Sequence, residues 1–176
     1  MEADAEALPF DDASFDAVIS VIGVMFPTDH ERAAAELVRV CRPGGTIALA
    51  SWTPEGFTGG LLKTVGKHVP PPAGVRPPTL WGDEDHLRGL IGAHVDELRT
   101  ERRSYSFRHR SPEHFVDFFE AYYGASHKAF AALDDLGRAA LRADIIELVR
   151  SYDRLGDGTA VAITAEYLQA LGTRAT

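Results

Sequence analysis

The chain has 176 residues, 45% of them hydrophobic and 25% charged, the ordinary balance of one soluble domain with a sizeable core. Its 18 Lys and Arg against 26 Asp and Glu give a formal charge of −8, which repels a phosphate backbone, argues against nucleic acid as a partner and favours a small molecule. The lone Cys41 can form neither an internal disulfide nor a thiolate cluster, no apolar run approaches the ~20 residues that span a bilayer, and the acidic opening lacks signal-peptide character, so a cytoplasmic protein with no membrane role is expected.

Ser14 to Ile22 is a β-branched apolar run, entered from an Asp/Ser turn and left at Gly23, which reads as a buried parallel strand covered on both faces. Thr28 and Glu31 match a capping box, and Ala33, Leu37, Val40 and Cys41 recur on one helical face, predicting a helix over Asp29 to Cys41 that Pro43-Gly44-Gly45 stops. Thr46 to Trp52 is a second buried-strand pattern, completing a strand-helix-strand crossover. Gly56, Gly59 and Gly60 then precede a short apolar helical stretch, and the prolines between Val69 and Leu80 predict an ordered surface excursion. Asp83 is placed to cap a helix ending near Gly92, and His94 to Arg110 alternates as a half-exposed strand does. Ser111-Pro112-Glu113 opens a helix with Phe115, Phe118, Phe119 and Tyr122 on one face. Ser126 to Leu155 is helical with a break near Asp134 to Gly137; after Gly156-Asp157-Gly158 the run Thr159 to Gly172 reads as a closing strand. The fold class is α/β, with a mostly helical excursion before the last strand.

The ordered series Asp4-Ala5, Leu8-Pro9-Phe10, Ser14-Phe15-Asp16 and Pro43-Gly44-Gly45 is similar to the second half of the sheet of S-adenosylmethionine-dependent methyltransferases of the Rossmann-like class, ubiquinone and menaquinone biosynthesis type. The resemblance covers Asp4 to about Trp52 and extends beyond it as topology alone. It implies one partial domain over 1–176: a cofactor-side strand-helix-strand (1–52), an excursion (53–158) and a closing strand (159–176). It also implies S-adenosyl-L-methionine as cofactor and a small-molecule methyl acceptor. By the same resemblance Asp4 and Ala5 would close over the adenine, and the backbone of Ser20 and Val21 would lie beside the methionine part. Open α/β sheets bind ligands outside the carboxyl ends of their parallel strands, which places the site at the same spot on independent grounds. Asp4 and Glu6 also read as a solvated acidic terminus.

The family opens with a strand, a glycine-rich loop and a ribose-binding acid, none of which is found here. Gly44-Gly45 is no substitute, because it follows a helix and precedes a strand. Weak or absent cofactor affinity is therefore expected, together with an unpaired edge along Phe15 to Ile22 that invites a homo-oligomer or another chain. The favoured account is a shortened version of a longer working enzyme, with a non-catalytic half-domain pairing through that edge as the alternative. A nicotinamide-dependent reductase is the other α/β reading, against which the series from Asp4 to Gly45 counts. Methyl transfer depends chiefly on positioning, so no obligatory catalytic dyad is expected. Met25, Phe26, Trp52 and Trp81 are candidate acceptor-pocket residues, with Phe57, Phe115, Phe119 and Tyr123 behind them; all equally read as core packing. His30 is a weak candidate for a general base, or an exposed bystander at a helix start. The histidines show no metal-ligand spacing, and no metal is expected.

Overall fold

The computed structural model describes every residue except Met1, Asp157 and Thr159. The β-branched run forms β1 (Phe15–Val21), followed by α1 (His30–Val40) and β2 (Cys41–Trp52). β1 and β2 are parallel, with Val18 opposite Ile47 and Ser20 opposite Leu49, so α1 is the crossover between them. Then come α2 (Phe57–His68), a 3₁₀ turn (Pro78–Gly82), α3 (Glu84–Ile91), a second 3₁₀ turn (Gly92–His94) and β3 (Val95–His109). Helices α4 (Pro112–Tyr122), α5 (Gly124–Ala132) and α6 (Asp135–Tyr152) lead to β4 (Val161–Arg174). The strands are ordered β1-β2-β4-β3, and β4 runs antiparallel to β2 with Thr46 opposite Thr173 and Trp52 opposite Tyr167. This is the expected α/β class with its helical excursion before the last strand. The expected first residue of that strand, Thr159, lies outside the described residues, as does Asp157 of the preceding turn.

The residues gather into two compact units, one of Met1–Pro54, Gly74–Arg103 and Tyr167–Thr176, the other of Glu55–Ala73 and Ser104–Glu166. The first has a core that includes Met25, Leu37, Ile47, Trp81, Leu87 and Ile91; the second has one that includes Phe57, Leu61, Phe115, Phe130, Leu141 and Ile145. Burying one such side chain contributes about 1.5–3 kcal/mol, which is what holds the periodic faces of these helices inward.

Local capping follows the sequence closely. Asp83 accepts from the His86 amide at 2.8 Å to start α3, and Ser111 Oγ accepts from the His114 amide at 3.1 Å to start α4 with Pro112 at its first position. Several expectations change. The cap of α1 is Asp29, which accepts from the Arg32 amide at 2.9 Å; Thr28 is drawn instead to Glu6 and Glu31 to Arg76, so no capping box forms. Pro43-Gly44-Gly45 does not separate helix from strand: it bulges within β2, between the Phe15–Cys41 and Ala17–Thr46 pairings. Gly45 is needed there because a Cβ would meet the Asp16 carbonyl oxygen at 2.9 Å and that of Arg42 at 2.8 Å. Gly59 and Gly60 lie inside α2 rather than before it, and Gly60 lets Leu148 of α6 come close. The aromatic face of α4 splits: Phe115 and Phe119 are buried and stacked at 3.9 Å, while Phe118 and Tyr122 face solvent. β1 is not covered on both faces. It ends the sheet, and Ile19 and Val21 are 70% and 71% exposed because no described element packs over them.

Candidate functional site

A groove of about 490 Å³ runs beside β1, lined by Ala5, Phe10, Ser20, Gly23, Val24 and Leu37 among others. It follows β1 from Phe15 to Ser20 and reaches Gly23 and Val24, where the chain has left the strand's carboxyl end. Ser20 Oγ accepts from the Val24 amide at 2.9 Å and tightens that exit, while the Ile22 amide donates to the Ala50 carbonyl at 2.8 Å. Between them Ile22 adopts φ 60, a left-handed conformation that costs a β-branched residue on the order of 1–3 kcal/mol. Ala13 and Glu97 also take positive φ, but of the three only Ile22 stands at the carboxyl end of a parallel strand.

The wall opposite the strand is the segment before it, and charged side chains fasten it to α1. Glu6 Oε1 accepts from the Thr28 and Asp29 amides at 2.7 and 2.9 Å, and these bonds hold its carboxyl below the usual range. Arg32 donates back to the Glu6 carbonyl at 2.7 Å. Glu36 accepts from the Leu8 amide at 2.6 Å, and Arg39 donates to the Leu8 and Phe10 carbonyls and pairs with Glu36 and Asp12. Glu6 is thus no solvated terminal acid. This clamp is what brings Ala5 and Ser20 to one groove.

Of the other cofactor candidates, Asp4 is exposed and its carboxylate accepts from the Glu6 amide at 2.9 Å, and Val21 points into solvent; neither lines the groove. The fit to an S-adenosyl group is that of one wall: an apolar surface and a bare strand edge, with no acid in the groove to receive ribose hydroxyls. Among the acceptor candidates Met25, Trp52 and Trp81 are buried in the first unit and Phe26 is exposed, while Phe57, Phe115, Phe119 and Tyr123 belong to the second. Burial pushes the Tyr123 hydroxyl up to about 12.

His30 is wholly buried, not an exposed bystander. Its Nδ1 lies 3.0 Å from His86 Nε2, its ring centroid is 5.7 Å from that of Trp81, and its Nε2 and the Trp81 Nε1 both lack hydrogen-bond partners. Burial and the nearby Arg76 guanidinium hold the imidazoles of His30 and His86 below the ordinary histidine range. Arg76 itself pairs with Glu31, whose carboxyl it lowers to about 2. Whether His30 Nε2 is an acceptor or carries the ring hydrogen is set by which of the two rings donates in the pair. Among the described residues no three His, Cys, Asp or Glu side chains converge as metal ligands would.

A four-stranded sheet with flanking helices and a groove along a parallel edge strand is an α/β fold of the kind its methyltransferase neighbours have. Residues 1–49 match the methyltransferase domain family, and the chain resembles the C-terminal part of S-adenosylmethionine-dependent methyltransferases of the Rossmann-like class. An uncharacterized protein of Mycobacterium tuberculosis is 46% identical over 155 residues, 86% of this chain and 57% of that protein. A demethylmenaquinone methyltransferase of Thermus thermophilus is 46% identical over 54 residues, 31% of this chain and 24% of that enzyme. The chain thus spans little more than half the length of the first of these relatives. In fold it is similar to the YcgJ protein of Bacillus subtilis, with a TM-score of 0.57, 16% identity and coverage of 100% of this chain and 70% of that one. A SAM-dependent methyltransferase of Thermotoga maritima follows at 0.53, 16% identity, 99% and 63%.

Proposed function

We propose that this chain is the C-terminal part of a domain that transfers a methyl group from S-adenosyl-L-methionine to a small molecule, and that by itself it binds that cofactor weakly and does not turn it over. The observation that carries the reading is the groove that follows β1 to its carboxyl end, walled by Ala5 and Ser20 within the segment that matches the methyltransferase domain. S-adenosylmethionine, when bound, supplies a methyl group on a sulfonium for in-line displacement. The clamp of Glu6, Arg32, Glu36 and Arg39 holds Ala5 in place, and the Ser20–Val24 bond fixes the turn that an acceptor would approach. Orientation of this kind can supply most of the acceleration of a displacement. The charge of −8 favours a small acceptor over nucleic acid, and the cytoplasm suits a chain whose one cysteine, Cys41, is buried as a free thiol. No helix among the described residues is long and apolar enough to cross a membrane.

The test is amide chemical-shift perturbation of the full chain by S-adenosylhomocysteine at millimolar concentration. Shifts concentrated at Ala5, Ser20 and Gly23 are expected. No shift at saturation, or shifts confined to the second unit, would sink the reading.

The bare edge of β1 favours a second reading, a half-domain that pairs with another polypeptide or a second copy along Phe15 to Val21. Exposed Ile19 and Val21 beside unpaired peptide groups are the supporting observation. Sedimentation of the wild type and of an Ile19→Lys, Val21→Lys variant decides it: association that the lysines abolish supports pairing, and a wild type that stays monomeric at high concentration removes it.

A further inference from the structure

The second unit contains a groove of about 500 Å³ lined by Arg108, His109, Arg110 and His114, with Leu155 and Val161 on its apolar side. Nothing in the methyl-transfer reading uses it. Most arginines elsewhere have partners: Arg39, Arg42, Arg76, Arg88, Arg138 and Arg150 each meet a carboxylate, and Arg32, Arg154 and Arg174 donate to neutral oxygens. The guanidiniums of Arg108 and Arg110 have neither an ion pair nor a side-chain hydrogen bond among the described residues. In a chain with an excess of acidic groups, two unmatched guanidiniums in one groove are a local exception to the charge balance.

The same groove is lined by two histidines whose Nδ1 atoms are 3.3 Å apart, so one ring donates and the other accepts. Burial, and then the His114 charge, hold the His109 imidazole below the ordinary range. Two carboxylates of adjoining segments do not fill the groove's demand for negative charge. Glu113 is held by Arg150 at 3.2 Å, and Asp153 accepts from the amides of Leu155, Gly156 and Ala162. A compact dianion would satisfy both guanidiniums and convert a histidine into a further charged donor. Phosphate-type oxygens match the arginine fork and the apolar side suits an organic tail.

We propose that this groove binds a phosphate monoester, with Arg108 and Arg110 as its charge partners and the His109–His114 pair as an additional donor that an anion recruits. The site stands apart from methyl transfer and does not depend on it.

The experiment is titration of the full chain with sulfate, a dianion across the working pH range, at ionic strength held constant with chloride, read by NMR of the histidine ring protons. Saturable shifts of His109 and His114 are expected, with a rise in the His109 pKa and tighter binding at about pH 6 than at about pH 8, since an anion favours the protonated ring. Arg108→Gln with Arg110→Gln should weaken binding by about tenfold or more, because charge-assisted bonds to an oxyanion are the strong ones. Arg99→Gln, whose guanidinium already pairs with Glu97, should change nothing. Unchanged affinity in the double variant, equal loss in Arg99→Gln, or shifts that chloride alone reproduces would each overturn the site. Glycerol phosphate against inorganic phosphate then separates the sources: a gain for the ester supports a bound organic phosphate, and no gain reduces the proposal to the free ion.

Discussion

Gly82 closes the 3₁₀ turn that carries Trp81, and its substitution by alanine gives a sharp test of how the first unit is built. A Cβ at that position would lie 2.1 Å from the Trp52 carbonyl oxygen, 2.5 Å from its carbon and 2.8 Å from the Thr53 nitrogen. Ordinary non-bonded approach is about 3.5 Å, so the turn and the end of β2 would have to part by more than about 1 Å. All three contacts are backbone, and no rotamer change can relieve them. The turn is also fastened on its other side: the Asp83 amide donates to the Leu80 carbonyl, and the Asp83 carboxylate caps α3.

Overpacking costs about 1–3 kcal/mol where side chains can yield. With backbone on both sides Gly82→Ala should lose about 3 kcal/mol or more. At a urea slope of about 2 kcal/mol per molar that lowers the midpoint by about 1.5 M. Gly89→Ala is the matched control. Gly89 lies within α3, nothing stands within 4 Å of its would-be Cβ, and alanine is the better helix former by about 0.8 kcal/mol, so its midpoint should rise by about 0.4 M. Urea unfolding followed by circular dichroism reads both. A Gly82→Ala midpoint within about 0.3 M of wild type would refute the close-approach argument, since the same methyl group added in open space should act in the opposite direction.

The His30–His86 pair predicts acid sensitivity: both are held below the ordinary 6.5 when folded, so the unfolded chain takes up protons first as pH falls. Stability from this source is therefore full above about 6.5 and declines as pH drops from there toward the folded values, and His30→Gln should flatten the decline of the urea midpoint between about pH 7 and 5. A variant midpoint that falls in parallel with wild type refutes that assignment. Glu6→Gln should quicken hydrogen exchange at the Thr28 and Asp29 amides by about tenfold while leaving α6 unchanged, because local openings follow local bonds; unaltered exchange would show that the clamp is not holding the segment. Phe115→Ala, at a fully buried ring stacked on Phe119, should cost about 3–5 kcal/mol in urea unfolding; a loss below about 1 kcal/mol would mean that this aromatic core is not packed as described.

What the sequence disclosed and what it hid divides by how far the deciding partner lies along the chain. Asp83 and Ser111 cap their helices by bonds three residues long, and both were legible because residue type and neighbouring backbone settle them together. The cap of α1 falls one residue past the Thr28 that the pattern predicts: Thr28 and Asp29 are both good caps, and Glu6 engages the Thr28 hydroxyl across 22 positions. Arg39 reaches Leu8 across 31 positions and His30 reaches His86 across 56, so neither the clamp nor the buried imidazole pair leaves a periodic trace. The apolar run of β1 is ambiguous for a related reason. Continuous hydrophobicity signals a strand that is meant to be covered, yet it does not say by what, and among the described residues Ile19 and Val21 remain bare. The family resemblance, through the order of Asp4-Ala5, Ser14-Phe15-Asp16 and Pro43-Gly44-Gly45, singles out Ala5 and Ser20 together, and both line one groove, a juxtaposition that periodicity could not signal. It did not supply the geometry. Ala5 and Ser20 share the groove because four charged side chains hold the preceding segment down, while Asp4, one residue from Ala5, turns away to accept from the Glu6 amide. A candidate ligand contact inferred from a motif thus depends on a clamp outside the motif, and the groove should be lost with Glu6 and Arg39 even when every motif residue is kept.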